Sequence, residues 1–413
     1  MTIRTPVGAL AGRREPGRPM DEAEAPRWPF SADTMTQLDR LTLRQKVGQL
    51  ITVEIPDARL TPTIAHFIRH CHPGGIAIFG RNLAGPWATA QLISDLQSVA
   101  AAAGAAPLLI GIDQEGGQVS RLRYPAAELP SNMACNAAGG PAAAGEAAAI
   151  LGTEMAALGI NLAYAPVADI NTAATNPVIG TRAYSDDPQH VAACVRESIA
   201  GLRRGGVFSM AKHFPGHGDT LADSHLKLPS VSAGWDRMES LELVPFRAAI
   251  AAGVDTICSA HVRFPGIDPS RLPATLSHRL MTDLLRKELG FTGVLFADAL
   301  VMDAIAGRKG GNIPPAAVAA INAGVDCVMI LGSLRLQAQV YDTLLGAVQA
   351  GVISEQRLDE AVARVYALRC RVTEPPAMPA WPVEAHRRAA DRLAHAAVTL
   401  VRDRAHLLPL TSG

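Results

Sequence analysis

Short apolar, β-branched runs recur along this chain with helical stretches between them, and that alternation limits the fold more than any other feature. The runs are Gln49–Val53, Gly75–Phe79, Leu108–Ile112, Asn161–Ala165, Val207–Ala211, Thr256–Ala260, Val294–Ala297 and Cys327–Leu331. Between them lie patterns of helical period, such as Gln91–Ala102, Ala142–Leu158, His190–Arg204, Leu241–Ala252 and His278–Glu288. Several of these helices meet a glycine stop just before the next strand, as in Arg204-Gly205-Gly206, Ala252-Gly253 and Ala323-Gly324. Strand and helix in alternation imply parallel strands joined by right-handed crossovers. Eight such units close naturally into a barrel, although an open doubly wound sheet has the same local pattern. Neither G-x-G-x-x-G nor G-x-x-x-x-G-K-[ST] opens a helix, which removes the dinucleotide and P-loop readings. The expected fold class is therefore α/β, a (β/α)8 TIM-type barrel.

The barrel is expected over residues 34–372. Residues 1–33 are charged and rich in proline and glycine, and read as a disordered or loosely attached arm. After the eighth strand come helices at about Arg335–Ala350 and Ser354–Cys370, then a proline-rich linker from Thr373 to Pro382. A further helix, Val383–His395, leads to the strand-like run Ala397–Val401, which has no obvious partner in a closed barrel. Residues 373–413 thus read as linker, helix and the remnant strand of a lost or truncated second domain.

Composition narrows the partners. Lys plus Arg and Asp plus Glu are 38 each, without basic runs, so the chain has no electrostatic footprint for nucleic acid or an anionic membrane. The most apolar stretch, Val99–Ile112, is 14 residues long, short of the roughly 18 that span a bilayer. The first residues contain no apolar signal segment. Six scattered cysteines, none in a C-x-x-C pair, make neither a disulfide framework nor a zinc site and read as buried thiols. A cytoplasmic protein acting on a small molecule is expected, with no cofactor.

In a barrel of this kind chemistry sits at the C-terminal ends of the strands. Strand three runs into Asp113-Gln114-Glu115-Gly116-Gly117, with Arg121 close behind. The loop after strand four carries Asn176 to Arg182; strand five runs into Lys212, His213, His217 and Asp219, followed by Asp223 and His225. Strand six ends at His261 and strand seven at Asp298. One such residue is usually a cap or a core hydrogen bond; five of eight strand ends carrying them is a site. The loop from Phe214 to Trp235 is long against the usual 2–6 residues of a βα connection, and its glycines suit a mobile lid. His213, His217, Asp219, Asp223 and His225 also admit a metal reading, but spacings of 4, 2, 4 and 2 in a glycine loop lack the register that aims ligands at one point. No metal is expected.

Four blocks carry a resemblance: KHFPGHGDTLADSHLKLP (Lys212–Pro229), IDQEGGQVSRL (Ile112–Leu122), NPVIGTRAYSDDP (Asn176–Pro188) and GVLFADALVMDAI (Gly293–Ile305). They resemble the signature blocks of glycoside hydrolase family 3, in its NagZ-type β-N-acetylglucosaminidase branch, over about residues 36 to 372. The resemblance implies that Asp298 is the nucleophile of a retaining glycosidase and His225 its acid/base, held by Asp223. It further implies that Asp113, Arg121, Arg182, Lys212 and His213 hold the sugar hydroxyls; His217 and His261 lie in matching blocks with less defined roles. Ala299 stands where many members have a second Asp, and Thr181 where an Asp is frequent; neither is assigned to chemistry. The implied activity is removal of terminal N-acetylglucosamine from peptidoglycan fragments or chitooligosaccharides. A phosphorylase, a metal-dependent barrel hydrolase and a silent sugar-binding protein are the competing readings.

Overall fold

A computed structural model describes residues 38–224, 227–307, 312–378, 380–381, 383–404 and 408. Eight parallel strands close into a barrel: β1 Ile51–Glu54, β2 Gly75–Ile78, β3 Leu109–Ile112, β4 Leu162–Ala163, β5 Phe208–Phe214, β6 Thr256–Ser259, β7 Val294–Ala297 and β8 Cys327–Ile330. Each strand pairs with its sequence neighbours and β8 returns to β1, with Ile51 opposite Val328. The runs seen in the sequence are buried on both faces, which is why they read as continuous apolar segments and not as alternation. Side chains of Leu109, Leu162, Tyr164, Met210, Cys258, Phe296, Cys327 and Met329 fill the interior. A second apolar shell lies between the strands and the helices outside.

Those helices are α1 Leu43–Gln49, α2 Pro62–Cys71, α3 Pro86–Ala102, α4 Asn132–Ala157, α5 Pro188–Arg204, α6 Val244–Ala251, α7 Ile313–Ala323, α8 Leu334–Gln349, α9 Glu355–Arg369 and α10 Glu384–Ala396, with a π-wound turn at Arg279–Glu288. Thr42, Ser131, Asp187, Ser333 and Ser354 accept the first free N–H groups of α1, α4, α5, α8 and α9. No helix among the described residues is long and apolar enough to cross a membrane.

Three local departures from the sequence reading have physical causes. Strand β4 shrinks to two residues because Pro166 has no N–H to add to the ladder. Strand β5 instead runs on to Phe214 through a bulge, with Lys212 opposite Cys258 and Phe214 opposite Ser259. The strand expected at Ala397–Val401 does not form: the closed barrel offers no free edge, and Val398, Leu400 and Val401 are exposed. The arm at 1–33 lies outside the described residues. Helix α10 packs on α4, burying Ala390 and Leu393.

Candidate active site

The mouth of the barrel is built from the strand ends. Asp113 follows β3 directly, and the chain then doubles back in a small hairpin of Gln114–Gly116 with Val119–Ser120. The Gln114 side-chain carbonyl accepts from the N–H groups of Arg121 (2.7 Å) and Leu122 (2.9 Å), which holds Arg121 at the rim. After β4, Asn176 Oδ1 accepts from the N–H groups of Val178 and Ile179, both at 2.8 Å, and turns the chain into Arg182. The bulge in β5 sets Lys212 and His213 at the mouth in succession, the usual effect of a bulge beside a functional site.

These elements assemble a neutral cluster of four charges. Lys212 Nζ lies 2.7 Å from Asp113 Oδ1 and 2.6 Å from Glu115 Oε1. Arg182 donates to both Glu115 oxygens, at 2.9 and 2.8 Å, a planar fork on a carboxylate. Glu115 is almost fully buried and was not singled out in the sequence. The need for it was readable there: two cations at the strand ends cannot be buried beside one aspartate alone. Burial by itself would raise the Glu115 pKa, but Lys212 and Arg182 outweigh it and hold the carboxyl at about 2. Burial likewise opposes the charge on Lys212, which Asp113 and Glu115 more than offset, raising its pKa.

An acid-stability prediction follows. A depressed folded-state pKa contributes stability that is complete above the unfolded value and is lost as pH falls between about 4.5 and about 2. For Glu115 this contribution is about 3 kcal/mol. Glu115→Gln should therefore unfold more easily than the parent in urea at pH 6, with the gap closing as pH falls through that window. A gap independent of pH would mean that the lost charge is not the cause.

The histidines divide by what their ring nitrogens do. His213 Nδ1 is 2.6 Å from Asp169 Oδ2, and Asp169 also accepts from the His217 N–H at 2.7 Å. Asp169 is buried and held below the usual carboxylate range, because His213 and His217 outweigh its desolvation. It too was missed in the sequence, as the one strand end, that of β4, whose acid sits four residues beyond the apolar run. His217 has both ring nitrogens committed, Nδ1 to Thr220 Oγ1 (2.8 Å) and Nε2 to Ser224 Oγ (2.9 Å), and burial lowers its pKa to about 4. His261 likewise bonds Thr275 Oγ1 (2.8 Å) and the Ala299 carbonyl (3.2 Å), and is absent from the cavity wall. His217 stands in the cavity wall and braces the loop after β5, while His261, set back from the cavity, braces the turn after Asp298.

That loop also differs from the expected lid in its first half. Asn176 Nδ2 donates to the carbonyls of His217 (2.9 Å) and Gly218 (3.1 Å), and Thr220 and Ser224 are buried. A side chain at Gly218 would come within 1.6 Å of the Ile170 carbonyl, so only glycine permits the contact. Asp219 pairs with Thr172 and Arg237, so the five residues of the metal reading turn to different partners where they are described. Asp223 is partly buried, and its carbonyl accepts from the Lys227 N–H. His225 lies outside the described residues; its neighbour Ser224 stands in the cavity wall.

The cavity itself has a volume of about 180 Å³ and is walled by Asp113, Arg121, Arg182, Lys212, His213 and Asp298, over a floor that includes Tyr164, Met210 and Cys258. Gly111 makes room for the Tyr164 ring, since a Cβ there would lie 2.3 Å from it. Asp298 follows β7 and accepts from the Ala299 N–H at 2.7 Å. Burial would raise its pKa, but His213, His261, the Ala299 N–H and Lys212 prevail and hold it below the ordinary aspartate value. A larger groove, about 640 Å³, lies at the strands' N-terminal ends, where its Arg371 and Asp255 simply pair with each other. The charged strand ends lie at the other end of the barrel.

Comparison with known proteins falls on this barrel. The family model of the glycosyl hydrolase family 3 N-terminal domain matches residues 42–368. The beta-hexosaminidase A of Pseudoalteromonas piscicida is 34% identical over 374 residues, 83% of this chain. The chain spans only 62% of that protein's length. A beta-hexosaminidase of Stenotrophomonas maltophilia is 36% identical over 306 residues, covering 73% of this chain and 87% of its own. The solved structure of a glycoside hydrolase family 3 β-N-acetylglucosaminidase from Paenibacillus sp. superposes with a TM-score of 0.83 at 42% identity, over 88% of this chain and 70% of that one.

Proposed function

The chain belongs to glycosyl hydrolase family 3, and on that premise we propose that it is a retaining exo-β-N-acetylglucosaminidase that releases terminal N-acetylglucosamine from peptidoglycan fragments or chitooligosaccharides. One observation carries the proposal: an aspartate held in its ionised form, Asp298, shares a cavity of about 180 Å³ with a neutral cluster of buried charges. Such a cavity is smaller than the roughly 300–1,000 Å³ of drug-sized sites and suits one pyranose ring. A ring held there by Asp113, Lys212, Arg182, His213 and Arg121 through its hydroxyls would present its anomeric carbon to Asp298.

In this reading Asp298 attacks the anomeric carbon as the bond to the aglycone breaks, and the leaving oxygen takes a proton from His225. The glycosyl ester is then cleaved by water, from which His225 removes the proton. A histidine serves here because its ordinary pKa near 6.5 lets it give and take a proton near neutrality. Asp223, two residues away, would orient and charge the imidazole. Five of the six cysteines are buried free thiols, which accords with action in the reducing cytoplasm.

The test is a panel of p-nitrophenyl β-glycosides. The N-acetylglucosaminide should be hydrolysed well above the glucoside, and chitotriose should release monosaccharide from one end only. Comparable rates on the two glycosides would overturn the proposed specificity. Diversion of the product to a sugar phosphate on adding phosphate would reassign the enzyme as a phosphorylase.

A further inference from the structure

The family-matched segment ends at residue 368, yet the chain beyond it reaches back to the loop that carries Arg121. His386, in the first turn of α10, places Nδ1 3.0 Å from Glu154 Oε1. Glu154 sits on α4 and is buried, and its two oxygens accept from the Ala127 N–H at 3.0 and 3.3 Å. Ala127 is itself buried, and it closes the segment 121–127 that begins at the cavity wall. The other end of that segment is fixed by Gln114, through the N–H groups of Arg121 and Leu122. Arg121 makes no side-chain ion pair of its own among the described residues, so its position depends on how its backbone is held. The C-terminal extension makes a second approach to the same segment: Trp381, just before α10, shares the wall of a cavity of about 350 Å³ with Arg121, Tyr124 and Ala126. An ion pair of Arg392 with Glu146 and the burial of Ala390 and Leu393 keep α10 in place on α4.

We propose that His386 is a positioning residue for sugar binding: through Glu154 it fixes segment 121–127, and with it Arg121, so that a helix outside the family-matched barrel completes the substrate site. The inference rests on the reading of Arg121 as a sugar contact. A buried carboxylate that joins two elements holds both only while each hydrogen bond is made, and loss of one partner leaves it free to turn. Removing the His386 donor should therefore loosen the loop without touching Asp298.

The experiment compares His386→Ala and His386→Asn with the parent, each alone and with Arg121→Ala. On p-nitrophenyl N-acetylglucosaminide, His386→Ala should raise KM about 3- to 10-fold, as expected for one lost hydrogen bond, with kcat nearly unchanged. His386→Asn keeps an N–H near the position of Nδ1 and should restore KM. In the Arg121→Ala background the further effect of His386→Ala should shrink to less than about 2-fold, since the two act on one contact. Hydrogen exchange should speed up in a peptide spanning 119–129 in His386→Ala and not in His386→Asn. An unchanged KM in an active His386→Ala, an undiminished effect beside Arg121→Ala, or unaltered exchange at 119–129 would each overturn the inference. A parent inactive on every N-acetylglucosaminide would count against the proposed function instead, and the exchange measurement would still decide the coupling.

Discussion

Replacing Asp298 by alanine is expected to abolish turnover of every glycoside, good leaving group or poor, with a loss on the order of 10⁴-fold or more. The expectation is that strong because, among the described residues, the charged groups and histidines near Asp298 already have partners of their own. His213 is committed to Asp169 and His261 to Thr275 and the Ala299 carbonyl, while Asp113 is paired with Lys212. Asp298 also lies where its surroundings favour the charged form over the cost of burial, and only the carboxylate can attack carbon. Substitution should leave the fold intact, since the side chain lines a cavity and the hydrogen bond it loses is to its neighbour's N–H. Added azide offers a further check. A small anion entering the vacated space would attack the face Asp298 normally attacks and yield the α-glycosyl azide from an activated β-glycoside. Residual turnover near that of the parent, or an azide product of β configuration, would remove Asp298 from the role of nucleophile.

Much of the architecture was legible because a barrel strand buried on both faces must be written in apolar residues, and these runs stand out against alanine-rich, polar-faced helices. The site was legible at positions where charge meets a strand end, as at Asp113, Lys212 and Asp298. What the sequence did not reveal is how charges that meet only in space are balanced. Glu115 lies 67 residues from Arg182, and Asp169 44 residues from His213, so nothing local distinguished them from a cap or a loop acid. The same holds for His217 and His261: both lie in the matching blocks, but nothing local showed that their ring nitrogens bond Thr220, Ser224, Thr275 and a backbone carbonyl. The run Ala397–Val401 stays unpaired, as its lack of a partner in a closed barrel led one to expect. Its β-branched residues are strand-forming only against an edge, and a closed barrel has none to give.

The second large effect separates His225 from Asp298 by the leaving group. If His225 is the acid/base, His225→Ala should be costly with a sugar aglycone, whose alkoxide needs a proton to depart, and mild for the first step with p-nitrophenolate, which does not. General acid help is worth about 10²–10⁴-fold, which sets the gap to look for between the two substrate classes. The second step still lacks its base with either substrate, so the glycosyl-enzyme should accumulate on Asp298. A stopped-flow trace should then show a burst of p-nitrophenol matching the enzyme concentration, followed by slow turnover. Asp223→Ala should reproduce this pattern more weakly, because it acts only through the imidazole. The neighbouring Ser224 bonds His217 through its side chain, and its carbonyl accepts from the Ala304 N–H, which ties this stretch to the turn after β7 that begins with Asp298. If His225 acted only by packing that junction, its loss would slow both substrate classes equally and show no burst. That pattern would leave Asp298 without an assigned proton donor.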